Sequence, residues 1–206
     1  RLVFDELCAN FFSLSESRKR VKKNKLSKKF SKEKSFLIKK TLPFNLTKSQ
    51  EKVLNEINED LYSKKRMFRI IQGDVGSGKT IVSLLAISNV IESGYQCALM
   101  GPTEILVKQH FELAKKIFKT TNFKIDFLTG KTDIKERKEI LKNLETGKTN
   151  LIIGTHSLFQ KKIIFNNLGY IIIDEQHKFG VKQRKLLSDK GGDNCDVLLM
   201  SATPIP

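Results

Sequence analysis

Apolar residues in this chain follow two alternating periods. From residue 68 onward, short apolar runs alternate with longer stretches in which apolar positions recur every three or four residues. The runs at 68–72, 96–100, 125–128, 151–153, 170–173 and 197–200 predict strands, the first of them buried. Between them, residues 81–87 predict a buried helix that ends at Gly94. Residues 105–119 predict a helix with Ile105, Leu106, Phe111, Leu113, Ile117 and Phe118 at its apolar positions. Asp133 with Glu136 opens a charged helix that stops before Gly147. Upstream, Thr47-Lys48-Ser49-Gln50 is a capping-box signature for a helix carrying Val53, Leu54, Ile57 and Leu61 on one face. Residues 1–17 carry a further helical stripe, from Leu2 and Val3 through Phe11, Phe12 and Leu14. Strands alternating with helices predict an α/β fold, a mostly parallel sheet with helices on both faces. In such sheets ligands bind at the carboxyl ends of the strands, and several polar clusters fall just there.

Charge changes this picture in one place. The 206 residues suffice for one α/β domain with an appendage, or for two very small domains. Their net charge of +16 points to an anionic partner, nucleic acid first. Residues 18–40 hold twelve Lys or Arg against a single acid, Glu33, so most of that excess sits in one segment. The segment reads either as a solvated linker or as an arm that contacts phosphates, and interleaved Phe30, Phe36, Leu37 and Ile38 argue against a disordered tail. The expected division is a helical, basic linker over 1–45 and a nucleotide-binding lobe over 46–206. A start at Arg1 and a stop at Pro206 suggest a piece excised from a longer protein. No apolar run approaches the roughly 20 residues that span a bilayer, and no signal-peptide pattern is present. Cys8, Cys97 and Cys195 are odd in number and far apart, which suggests reduced thiols in the cytoplasm, with Cys97 in the core.

The candidate chemistry begins at Gly73-Asp74-Val75-Gly76-Ser77-Gly78-Lys79-Thr80, which fits G-x-x-x-x-G-K-[ST] at every fixed position. Set between a predicted strand and a predicted helix, its glycines let successive N–H groups converge on phosphate at the helix N-terminus. Lys79 then neutralises the β- and γ-phosphates and the Thr80 hydroxyl ligates Mg²⁺. About a hundred residues later, an apolar strand delivers Asp174 and Glu175. Beside a phosphate loop the first acid suits Mg²⁺ binding and the second suits orienting a water.

Asp174-Glu175-Gln176-His177 resembles the motor motif of superfamily 2 helicases and translocases, and other motifs of that set occur in order. The resemblance implies adenine contact for Gln50, which its own helix also needs as a capping residue. It implies nucleic-acid backbone contact for Thr103, Gly130, Thr155 and His156, all of which also suit ordinary strand-end turns. Gln176, His177, Ser201 and Thr203 take the role of coupling ATP state to strand movement. His110, inside a predicted helix, reads as structural or exposed.

Four stretches, 72–80, 102–106, 174–181 and 201–206, together with Arg1-Leu2-Val3-Phe4-Asp5-Glu6-Leu7, narrow the resemblance to the RecG family of bacterial ATP-dependent helicases of branched DNA. That resemblance implies a RecA-like P-loop fold in three layers, ATP and Mg²⁺ as cofactors and branched duplex DNA as partner. It also implies a second motor lobe and a wedge domain that this chain lacks, so the chain alone is expected to hydrolyse ATP barely at all. Two alternatives stay open: a duplex translocase of the transcription-repair coupling type, and a nucleotide-gated nucleic-acid-binding module without motor activity. Glu175 beside Asp174 speaks against the second, because a pure binder needs no water-activating acid.

Overall fold

The structure is a computed structural model that describes residues 24–160, 162–175 and 190–202. Gln176, His177, Thr203 and the apolar stripe over 1–17 lie outside the described residues. The elements run in the order α1 (Glu33–Thr41), α2 (Lys48–Tyr62), β1 (Phe68–Gln72), α3 (Lys79–Glu92), β2 (Gln96–Met100), α4 (Glu104–Ile117), β3 (Ile125–Leu128), α5 (Ile134–Glu145), β4 (Leu151–Gly154), β5 (Leu168–Ile173) and β6 (Asp196–Ser201). Single 3₁₀ turns at His156–Phe159 and Gly192–Asn194 complete the described chain.

The six described strands form one parallel sheet in the order β1-β6-β5-β2-β4-β3. Strand periodicity sends alternate residues to opposite faces, and the core divides accordingly. Cys97, Leu99, Ile153, Ile172 and Leu198 pack with α2, α3 and α4 on one side, while Ala98, Met100, Ile152, Ile171 and Leu199 pack with Ile140 and Leu144 of α5 on the other. Strands buried on both faces explain why they read as continuous apolar runs. Helix α3 is buried from Ile81 to Ile91, so its sequence shows no polar face. Among the described residues, no helix is long and apolar enough to cross a membrane.

Three expectations need correction. Strand β1 is an edge strand of the described sheet, and Phe68 and Ile70 are exposed while Ile71 is buried. An apolar run shows hydrophobicity but not which strand has a neighbour on each side. On α4 the inward stripe is Val107, His110, Ala114 and Ile117, and Ile105 is exposed at the first turn. Helical spacing from Val107 selects 110, 114 and 117, so a polar residue occupies one core position.

The third correction concerns the basic segment. Its described part is neither a solvated linker nor wholly a phosphate-contacting arm, because it straps across the domain. Backbone N–H groups of Lys25 and Lys28 donate to Lys64 O at 2.8 Å and Leu61 O at 3.1 Å, and Phe30 and Ile38 enter the same core as α2 and α3. Lys25 Nζ and Lys28 Nζ meet Asp196 Oδ2 at 2.6 and 2.7 Å, with all three side chains removed from solvent. Asp196 Oδ1 accepts from Met67 N at 2.6 Å, which fixes β6 to the residue preceding β1. Burial lowers the Lys25 pKa more than its pairing with Asp196 raises it. Lys29, Lys32, Lys34 and Lys40 remain exposed.

Removing one member of a buried ionic cluster leaves the others charged and unpaired, at a cost of about 3–5 kcal/mol. Asp196→Ala is therefore expected to lower stability by about that amount in chemical denaturation. A loss within experimental error of zero would mean that the strap is not held by this cluster.

Candidate nucleotide and nucleic-acid site

Beyond Gln72 the chain turns through residues 73–78 into α3. Gly76 and Gly78 adopt φ of 81° and 84°, a left-handed conformation that costs an L-residue roughly 1–2 kcal/mol. Gly78 has a second constraint: a Cβ there would lie 2.3 Å from Gln50 Nε2, whereas one on Gly76 meets nothing within 4 Å. The turn closes with Ser77 N donating to Asp74 O at 3.1 Å. Gly73 N donates to Ser201 O at 3.3 Å, joining the loop to the end of β6.

Lys79, the first residue of α3, reaches back over the loop. Its Nζ donates to Gly73 O at 2.5 Å and Asp74 O at 2.8 Å, and lies 3.5 Å from Ser77 Oγ. Thr80 is half-buried beside it, and Val75 stands exposed at the tip. Gln50 completes the capping box of α2: Thr47 Oγ1 accepts from Gln50 N and Gln50 Oε1 accepts from Thr47 N. Its amide Nε2 also donates to Ser77 O at 2.9 Å, so the capping residue of α2 holds the loop as well.

Strand β5 delivers the paired acids at the same edge. Asp174 is buried and Glu175 half-buried. Asp174 N donates to Met100 O at 2.8 Å, and its Oδ1 accepts from Glu175 N at 2.9 Å. Its Oδ2 lies 2.7 Å from His110 Nε2. Glu175 holds φ of 49°, uncommon for a residue with a side chain. Since β6 lies between β1 and β5, the loop and the acids stand two strand spacings apart, roughly 10 Å. Ser201, the last residue of β6, falls between them.

The other half of the sheet edge carries the residues read as nucleic-acid contacts. Thr103, exposed, caps α4 by accepting from Leu106 N at 3.3 Å. Gly130 follows β3 in the open, and His156 follows β4 exposed. Lys131 Nζ reaches Glu104 Oε2 at 2.9 Å, tying the Gly130 loop to the start of α4. Thr155 differs from its neighbours: its side chain is buried and its N–H donates to Leu128 O, so it shapes the turn from within. His110 is the residue that sequence reasoning missed. The signal was its place on the stripe of Val107, Ala114 and Ile117, where a histidine needs a polar partner.

This set suits a nucleoside triphosphate with Mg²⁺. It has a loop turned left-handed at Gly76 and Gly78, a lysine aimed over that loop, a helix N-terminus with orphan N–H groups, and a hydroxyl and a carboxylate as oxygen donors for a hard cation. The geometry defines a P-loop nucleotide-binding lobe of RecA-like fold. The chain belongs to the DEAD/DEAH box helicase family, whose pattern it matches over residues 47–206.

Over its whole length the chain is similar to the ATP-dependent DNA helicase RecG of Streptococcus pneumoniae, 49% identical over 208 residues, and to that of Aquifex aeolicus, 46% identical over 209. It spans 31% and 26% of the length of those relatives. A solved structure of RecG bound to a three-way DNA junction superposes on 94% of this chain and 26% of that one, with a TM-score of 0.80 and 40% identity. The DEAD-box helicase Mss116, bound to single-stranded RNA and a nucleotide analogue, shares the fold at a TM-score of 0.64 and 22% identity, over 84% of this chain and 38% of that one.

The two loop glycines are expected to behave differently on substitution. Gly76→Ala incurs only the left-handed penalty and should weaken nucleotide binding roughly tenfold. Gly78→Ala incurs the same penalty and also pushes the Gln50 amide away from Ser77 O, so it should weaken binding somewhat further. Titration with a fluorescent ATP analogue distinguishes them, and equal effects would mean that displacing the Gln50 amide costs nucleotide binding nothing.

Proposed function

We propose that this chain is the first motor lobe of an ATP-driven helicase that acts on branched duplex DNA, such as replication forks and Holliday junctions, in recombination and repair. The observation that carries the proposal is the convergence of the phosphate loop, Ser201 and the Asp174-Glu175 pair on one edge of a parallel sheet whose other half presents Thr103, Gly130 and His156. The similarity to RecG along the whole chain favours branched DNA over other substrates.

In this reading the loop N–H groups and Lys79 hold the β- and γ-phosphates, and Gln50 adds adenine contact to its hold on Ser77. Thr80 and Asp174 would hold Mg²⁺, which when bound supplies charge neutralisation at the phosphate oxygens. Glu175 orients the attacking water and accepts its proton. Thr103, Gly130 and His156 contact the nucleic-acid backbone, with Thr155 supporting the turn, while Gln176, His177, Ser201 and Thr203 relay nucleotide state to that surface. Residues 46–206 form the lobe and residues 1–45 connect it to an upstream wedge domain, part of the connection strapped onto the lobe. The second lobe lies elsewhere in the protein, and the protein works in the cytoplasm.

In related motors a second lobe brings an arginine to the γ-phosphate, a contribution worth about 10³–10⁵ in rate. This chain alone is therefore expected to bind ATP and hydrolyse almost none, while the full-length protein hydrolyses it rapidly when a forked junction is added. Lys79→Ala should abolish the stimulated rate. Equal stimulation by linear duplex would favour a translocase of the transcription-repair coupling type. Absence of stimulation by any DNA would leave a nucleotide-gated binding module in place of a motor.

A further inference from the structure

We infer that His110 is a positioning residue for the Mg²⁺ site: its imidazole fixes the orientation of the Asp174 carboxylate that would hold the metal. The inference rests on the reading of Asp174 as the Mg²⁺-holding acid. His110 and Asp174 come from elements 64 residues apart, yet Nε2 and Oδ2 are 2.7 Å from each other, with both side chains nearly removed from solvent. A carboxylate only accepts, so the imidazole hydrogen lies on Nε2 and points at Oδ2.

The other oxygen is also committed, because Oδ1 accepts from Glu175 N at 2.9 Å. Two donors on two different oxygens fix the plane of the carboxylate, and each oxygen keeps a lone pair for a further partner. Neither donor competes for the metal itself. This is the arrangement by which an outer hydrogen bond orients a ligating carboxylate.

Location argues that the contact is more than packing. His110 occupies a core position of α4 flanked by Val107 and Ala114, where an apolar residue buries with no polar group to satisfy. A buried histidine there is tolerated only with a partner, and the partner is the acid at the end of β5. Helix α4 begins at the Thr103 cap on the nucleic-acid half of the edge, so His110 carries the position of that helix to the acid on the nucleotide half.

The test measures metal retention, not turnover. Mn²⁺ binding by the full-length protein is followed by electron paramagnetic resonance in the presence of the non-hydrolysable analogue AMPPNP, and metal-free AMPPNP binding is measured alongside. His110→Leu should weaken Mn²⁺ binding roughly 10–100-fold, the usual effect of losing an outer-shell partner, and His110→Gln, whose amide reaches as far as Nε2, should restore it to within about threefold. Metal-free AMPPNP binding should be unchanged in both.

If His110→Leu fails to fold, His110→Asn, which keeps an amide but stops short of Asp174, takes its place. Unchanged Mn²⁺ binding in the Leu or Asn variant would overturn the inference, as would a Gln variant as weak as the Leu one, or an equal loss of metal-free AMPPNP binding. Asp174→Asn separates the role of His110 from that of Asp174. If it weakens Mn²⁺ binding while His110→Leu does not, only the role of His110 falls. If it leaves Mn²⁺ binding unchanged, the reading of Asp174 falls with it.

Discussion

Gly78 turns the backbone left-handed, and the amide of Gln50 lies in the space beside its Cα. That residue converts the end of β1 into the start of α3 within a single turn. The orphan N–H groups of α3 and the Lys79 ammonium thereby arrive together at the carboxyl edge of the sheet. The same contact ties α2 to the loop, since Gln50 serves the capping box with its Oε1 and the loop with its Nε2.

Parallel strands give the edge its second property. Every strand delivers its last residues to the same side, so the functional groups are sorted by strand order and not by position in the chain. The order β1-β6-β5-β2-β4-β3 gathers the phosphate loop, Ser201 and the paired acids over one half, and Thr103, Gly130 and His156 over the other. β5 and β2 are neighbours at the join. There Asp174 N meets Met100 O across the strands, and α4, which follows β2, returns His110 to the carboxylate. The opposite end of the sheet is held by the Lys25–Asp196–Lys28 cluster, which binds the basic strap to the first residue of β6. One strand thus carries a structural clamp at its start and a residue beside the phosphate loop at its end.

Much of this was legible in the sequence because local chemistry determined it. The glycine loop, the capping box at Thr47 and Gln50, and the six apolar runs each depend on residues close together in the chain. What escaped depends on tertiary neighbours. Phe68 and Ile70 look like core residues, but β1 lies at the edge of the described sheet, and hydrophobicity does not record strand order. Lys25 and Lys28 look like solvated charges until Asp196, about 170 residues away, is placed between them. Thr155 reads as a strand-end residue facing nucleic acid, but its side chain is buried. His110 was half-visible: the helical stripe marks position 110 as buried, and only the fold supplies Asp174 as its partner.

In the proposed function the two halves of one sheet edge, one for nucleotide and one for DNA, are energetically coupled. The most direct measurement is the affinity of the full-length protein for a forked DNA at fixed salt, with and without AMPPNP and Mg²⁺. Coupled sites change each other's affinity by about 5–150-fold, and DNA must change AMPPNP affinity by the same factor. A motor lobe coupled in this way gives a change in that range, lost in Lys79→Ala. Identical DNA affinity in the presence and absence of bound nucleotide would contradict it.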